Sequence, residues 1–193
     1  MYMNRDVLKQ IIIDQKEMYL DNPLISRDYD LEENVNYCFV GIRRMGKSYM
    51  MYQQIHNLMN DGISSSQIVY VNFEDERLLE IGVDDLNTIL ELGIEFSGSK
   101  GKPYLFLDEI QNVDGWEKFV RRVADMKYRI NITGSNSKML SKEIASTLGG
   151  RFMIVNVFPY SFKEYLSANH IENIILDQLG TKKRADIVSQ YEQ

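Results

Sequence analysis

"VGIRRMGKSYMM", residues 40–51, sets four residues between Gly41 and Gly46 and follows the second glycine at once with Lys47 and Ser48. Two readings compete for it: a basic surface turn, or a loop wrapped around a phosphate. The flanks decide between them. Upstream, "VNYCFVG" (35–41) is a short, mostly apolar run ending in glycine, which suits a strand buried on both faces. Downstream, residues 47–60 read as a helix that starts at the Gly-Lys-Ser and stops before Gly62. A strand that passes through a glycine loop into a helix directs backbone N–H groups and the helix N-terminus at a bound anion.

Working outward, further strands are read in "QIVYVNFED" (67–75), "YLFLDEI" (104–110, buried), "RINITGS" (129–135) and "RFMIVNV" (151–157). Between them lie helical stretches. Residues 4–20 carry Val7, Leu8, Ile11, Ile12, Gln15, Met18 and Tyr19 at helical spacing. Residues 83–92 are helical, and "SGSKGKP" (97–103) is a turn. Asp114 is read as the cap of a helix running to about Met126, with Glu117 completing a capping box, and a further helix is expected around 138–147. Ser161 and Glu164 form a second capping box ahead of "KEYL". Five strands separated by helical crossovers predict a three-layer α/β fold with a parallel sheet and helices on both faces. Ligands of such sheets sit at the carboxyl ends of the strands, and Gly41 is at one of them.

The chain's 193 residues suffice for one α/β domain with a good core. Hydrophobic residues are 44% and charged residues 26%, a globular composition. A net charge of −6 argues against general electrostatic binding to nucleic acid. The single cysteine, Cys38, excludes an internal disulfide and a cysteine-cluster metal site, and His56 and His170 are too few for a histidine-based zinc site. No apolar run reaches membrane-spanning length, and "MYMNRDVLKQ" lacks a signal-peptide core. These features predict a cytoplasmic protein with no membrane contact.

Gly41-x4-Gly46-Lys47-Ser48 fits the P-loop pattern. Lys47 is expected to reach the β- and γ-phosphates and Ser48 to hold Mg²⁺ through its hydroxyl. The nucleotide-binding candidates are Gly41, Arg43, Arg44, Met45, Gly46, Lys47, Ser48 and Tyr49. For Arg43 and Arg44, contact with phosphate and a solvated or partner-facing charge are both open. "YLFLDEI" supplies the acids. A buried strand ending in two carboxylates is costly unless a cation or donor meets them. Asp108 is the second candidate on the metal side, through water. Glu109 is placed to polarise a water for in-line attack. Asn72, Glu74 and Asp75 end the second strand on the same edge, where turn chemistry is an equal explanation. Trp116 reads as core, and Cys38 as a small buried hydrophobe.

"GIRRMGKS", "YVNFEDERL", "YLFLDEIQNVDGWEKFVRRVAD", "ITGSNSKML" and "LGGRFMIVNVFPYSFKEYL" together resemble the predicted prokaryotic AAA-type ATPases, part of the P-loop division that uses a catalytic glutamate. The resemblance covers residues 4–170. It implies a sheet ordered 5-1-4-3-2, with "TGSNS" beside the γ-phosphate and Ser135, or else Asn136, as the sensor of ATP against ADP. Those proteins usually carry a C-terminal domain, so the chain is expected to hold only the ATPase core. Its parts would be a lead-in (1–34), the core (35–160) and a helical segment (161–193). Arg151, just before the fifth strand, is similar in position to the arginine finger that serves a neighbouring subunit of a homo-oligomer; a structural ion pair is the other reading.

The leading expectation is Mg²⁺-dependent ATP hydrolysis that moves or gates an attached domain or partner. The alternative is a nucleotide-gated binding module with negligible turnover. A small-molecule kinase would need an Arg-rich lid, and "STLGGR" is too short for one. "TKKRAD" (181–186) is not a guanine-reading motif, which favours ATP over GTP. DNA would have to bind through another domain, since nothing in this chain reads a base.

Overall fold

Alternation along the strands sorts the core onto two faces. The structure, a computed structural model, describes residues 3–22, 24–32, 34–135, 146, 148–169 and 180–191. On β1 (Tyr37–Val40), Tyr37 and Phe39 join one cluster and Cys38 and Val40 the other. On β2 (Ile68–Asn72), Ile68 and Tyr70 separate in the same way from Val69 and Val71. On β3 (Tyr104–Asp108), Phe106 opposes Leu105 and Leu107. With β4 (Arg129–Gly134) and β5 (Met153–Asn156), these strands form one parallel sheet ordered β2-β3-β4-β1-β5. This is the expected 5-1-4-3-2 order read from the opposite edge.

The cluster holding Val69 and Val71 is covered by α1 (Arg5–Asp14), α4 (Leu86–Ser97) and α5 (Trp116–Asp125). The aromatic cluster on the other face is covered by α2 (Lys16–Leu20) and α3 (Lys47–Asn60), through Tyr19, Met50, Met51, Tyr52 and Ile55. The helix expected over 4–20 is therefore two helices, one on each face. It breaks at Gln15, where the chain wraps the free edge of β2. Buried Gln15 accepts from the Asn72 N–H at 2.8 Å and donates to Asp75 Oδ2 at 2.9 Å. Leu8, Ile11, Ile12 and Tyr19 are buried as expected, whereas Val7 and Met18 are exposed.

Two further local expectations change. α4 starts at Leu86, because Asp85 turns its carboxylate back to the N–H groups of Gly82 and Met3. α5 has no side-chain cap: Gly115, left-handed at φ 77°, occupies the cap position and Asp114 is exposed. β5 is an edge strand whose Met153 and Ile154 are exposed. The capping box of α6 (Phe162–Ala168) is present as expected, with the Glu164 N–H donating to Ser161 Oγ at 3.2 Å and the Ser161 N–H to Glu164 Oε2 at 2.7 Å. α7 (Thr181–Tyr191) packs Tyr191 against Phe162 and Tyr165. Trp116 is in the core. Most of the helix expected at 138–147 lies outside the described residues.

Candidate functional site

The loop after β1 is shaped by close approach. A Cβ on Gly41 would stand 2.6 Å from the Val157 carbonyl oxygen, while the Val157 N–H donates to the Val40 carbonyl at 2.7 Å. Glycine is thus required where β1 gives way to the loop. Gly46 sits at φ 86°, a left-handed conformation that favours glycine, and caps α3. Arg44 is also left-handed, at φ 67°. Lys47 opens the helix and is buried, with its ammonium turned back to donate to the Ile42 carbonyl at 3.3 Å. Arg43 is exposed and paired with Glu74. Arg44 is exposed, and Tyr49, also exposed, leans on Tyr52 with ring centroids 5.4 Å apart. An open cavity lies over the loop, lined by Arg43, Arg44, Lys47, Ser48, Glu74 and Glu109.

Behind the loop comes the end of β3. Asp108 is wholly buried. Burial pushes its carboxyl upward from the ordinary range, against hydrogen bonds from Ser48, Thr133 and Tyr70 that favour the charged form. The Tyr70 hydroxyl donates to Asp108 Oδ2 at 2.7 Å, and burial drives that phenol well above its usual value, the neighbouring Asp108 charge adding to the effect. Glu109 lies just past the strand in a left-handed conformation, φ 52° and ψ 42°. Its Oε1 is 3.0 Å from the Lys47 ammonium, and its Oε2 accepts from Gln111 Nε2 at 2.5 Å.

The donor set fits Mg²⁺. The Ser48 hydroxyl, which lines the cavity, reaches the buried Asp108 carboxylate, so two hard oxygen donors meet beside it. Among the described residues no group of three or more His, Cys, Asp or Glu could hold a metal by itself. One carboxylate plus one hydroxyl suits an ion that keeps most of its waters and phosphate ligands.

Ser135 directly follows Gly134, which is paired with Val40, so it stands level with Gly41 in the adjacent strand. Asn136 lies outside the described residues. Arg151 lies just before the amino end of β5, at the end of the sheet opposite the loop, and its Nε donates to Asp125 Oδ1 at 2.6 Å. Asn72 and Asp75 are engaged in turn and edge contacts, Asn72 accepting from the Glu74 N–H at 2.9 Å. The Arg77 guanidinium holds Asp75 down at about 2. Burial pushes the Cys38 thiol up to about 12, in keeping with an inert core residue.

Three residues at the site escaped the sequence reading. Tyr70 and Thr133 sit in apolar strands, where hydrophobic patterning hides a hydroxyl. Buried Arg27 lies in the aperiodic "LISRDYD". It donates to the Met45 carbonyl at 3.3 Å, to Phe158 O at 2.8 Å and to Glu164 Oε1 at 2.9 Å, bracing the loop against the chain that follows β5. Its one signal in sequence was Glu164, read only as half of a capping box.

A profile of the AAA domain family matches residues 34–166, the stretch from β1 through most of α6. The chain belongs to that family. Membership makes this an AAA-type, ATPase-like domain. The domain is 41% identical over 184 residues to the uncharacterized protein MJ1544 of Methanocaldococcus jannaschii, covering 94% of this chain and 40% of that protein. It is 34% identical over 160 residues to an uncharacterized protein of Haemophilus influenzae, covering 82% of this chain and 38% of that protein. The chain therefore spans about two fifths of the length of the curated relatives it matches. Among solved structures it is similar to a closed-state reconstruction of Hsp104, with a TM-score of 0.49 at 16% identity over 86% of this chain and 31% of that one. It is also similar to the DnaC helicase loader, with a TM-score of 0.41 at 15% identity over 81% of this chain and 93% of that one. No helix among the described residues of the AAA domain is long and apolar enough to cross a membrane.

Proposed function

We propose that this domain binds Mg-ATP in the 41–48 loop and hydrolyses it, with Glu109 as the base that orients and polarises the attacking water. The observation that carries the reading is that Lys47, Ser48 and Glu109 line one cavity at the carboxyl ends of β1 and β3, with buried Asp108 hydrogen-bonded to Ser48 behind it. Lys47 offers the mobile cation for the β- and γ-phosphates, and the loop N–H groups with the α3 N-terminus offer the fixed partial charges. Asp108 and Ser48 would hold Mg²⁺, which when bound neutralises charge on the phosphate oxygens. Glu109 accepts a proton from water at its carboxylate once Lys47 has turned to the phosphate. Ser135, level with the loop, is proposed as the sensor of the γ-phosphate. Arg43, Arg44, Met45 and Tyr49 complete the proposed nucleotide-binding set.

Turnover would drive or gate a further domain or partner, a role supported by the greater length of the relatives. Arg151 is proposed to act on a neighbouring copy in a homo-oligomer. The lone, buried Cys38 thiol supports a cytoplasmic setting.

The Lys47–Glu109 contact gives one specific argument for the second reading, a nucleotide-gated switch, because it occupies the base. Phosphate release from Mg-ATP decides between them. Sustained release that is lost in Glu109→Gln supports hydrolysis; tight binding with no release beyond buffer supports the switch.

A further inference from the structure

Asp108 and Glu109 are joined by a third residue. The Glu109 N–H donates to Thr133 Oγ1 at 2.8 Å, and the Thr133 hydroxyl donates in turn to Asp108 Oδ1. Thr133 is fully buried. A threonine hydroxyl has a single proton. Given to Asp108, that proton leaves the oxygen lone pairs for the Glu109 amide, so the polarity of the bridge is fixed. The other oxygen of Asp108 is taken by the Tyr70 hydroxyl, with the Tyr52 hydroxyl 3.2 Å beyond it.

The bridge stands where the ladder stops. Paired residues of β3 and β4 end at Leu107 and Ile132. One step further, the Glu109 amide bonds to a β4 side chain and the backbone turns left-handed, a conformation that costs a non-glycine residue about 1–2 kcal/mol. Asn34, Arg44 and Lys127 are left-handed as well, but they are exposed; Glu109 is buried, with its amide held by a side chain.

We infer that Thr133 is a positioning residue whose hydroxyl locks the turn that aims Glu109 into the phosphate cavity and ties it to Asp108. The inference rests on the hydrolysis reading above. It divides the contacts of Glu109 into two kinds. The carboxylate exchanges partners, leaving Lys47 when phosphate arrives. The backbone stays fixed, so base and metal-side acid keep one spacing through the cycle.

Two variants isolate the hydroxyl. Thr133→Val keeps the shape and removes it; Thr133→Ser keeps it. The first readout is amide hydrogen exchange at Glu109, which needs no turnover. The Glu109 amide should be as protected as those of β3 in the wild type and in Thr133→Ser, and should exchange at least about tenfold faster in Thr133→Val, as expected for a lost buried hydrogen bond. The second readout is kinetic. Thr133→Val should lower kcat on the order of a hundredfold through misplacement of the base, with Mg-ATP affinity within about threefold of wild type and turnover recovered by Thr133→Ser. Placed on Glu109→Gln, Thr133→Val should cost clearly less than it does alone, because most of its effect on turnover runs through that side chain. A Glu109 amide that exchanges at loop rates in the wild type overturns the inference, and that arm decides it even if Thr133→Val does not fold. Equal losses of turnover in both backgrounds overturn it too. A wild-type chain that binds Mg-ATP but releases no phosphate defeats the hydrolysis reading alone, while the exchange result still decides whether Thr133 holds the turn.

Discussion

Lys47 Nζ and Glu109 Oε1 stand 3.0 Å apart, with only 4% and 11% of the two side chains exposed. The cation suited to phosphate and the acid suited to water hold each other. Removing Lys47 therefore has two effects. Lys47→Ala should abolish tight Mg-ATP binding in calorimetry, because it removes the mobile charge on the β- and γ-phosphates. It should also lower the stability of the free chain by on the order of 3 kcal/mol, because Glu109 is left nearly buried without its cation. Adding Glu109→Gln should restore most of that stability and none of the binding. Wild-type affinity in Lys47→Ala would end the phosphate-loop assignment.

Glu109→Gln by itself should retain Mg-ATP binding and lose turnover by on the order of a hundredfold, since an amide accepts a hydrogen bond but not a proton. Phosphate release under single-turnover conditions measures this. A variant that turns over normally would require another base.

Asp108→Asn should weaken the dependence of ATP binding on Mg²⁺ concentration more than it weakens binding without metal. Titrating Mg²⁺ at fixed nucleotide gives the comparison. An unchanged Mg²⁺ dependence would move the metal site elsewhere.

Arg151 is held by Asp125 in a pair whose side chains are 28% and 52% exposed. A pair so open to water contributes about 0–1 kcal/mol and can yield to a better anion. If it serves a neighbouring copy, Arg151→Ala and Lys47→Ala should each be inactive, and an equal mixture should regain part of the activity, a finger in trans being worth ~10³-fold or more. Arg151→Ala that hydrolyses ATP like wild type would leave the arginine as a structural partner of Asp125.

Glu164 gives the acid limb of stability. Burial pushes its carboxyl up, but the N–H groups of Ser161 and Asp28 and the Arg27 guanidinium outweigh burial and bring it from 4.5 down to about 2. A depressed carboxyl stabilises the fold above its unfolded value and loses that contribution as pH falls through the folded value. On the order of 3 kcal/mol should therefore disappear between about pH 5 and pH 2. Glu164→Gln should flatten this part of the stability curve measured by denaturant titration. An unchanged slope would mean that Arg27 does not hold Glu164 in solution.

The sheet was legible because β1–β4 are buried on both faces and closed by turn residues, and the order followed from the family resemblance. The loop was legible because Gly41, Gly46, Lys47 and Ser48 are adjacent in sequence. Legibility ended where partners are far apart along the chain. Arg27 and Glu164, Tyr70 and Asp108, and Thr133 and Glu109 meet only after the sheet assembles. The helical run over 4–20 hid its break, since Gln15 fits the apolar spacing and serves as a polar clamp on β2. Asp114 satisfied a capping pattern, but the left-handed Gly115 took the position.

The contacts of Arg27 also fix a line of force. β5 runs parallel to β1 and leads directly into Phe158 and Pro159, whose carbonyls Arg27 grips while also holding that of Met45. Displacement of the chain at Phe158 and Pro159 is therefore felt by β5, paired to β1, and by Arg27 at the same time. The same displacement reaches the loop twice, through Arg27 at Met45 and through the Val157 N–H at Val40, immediately before Gly41. Mechanical load on the C-terminal segment is thereby delivered to both ends of the glycine loop, and a rearrangement of that loop is delivered outward along the same route.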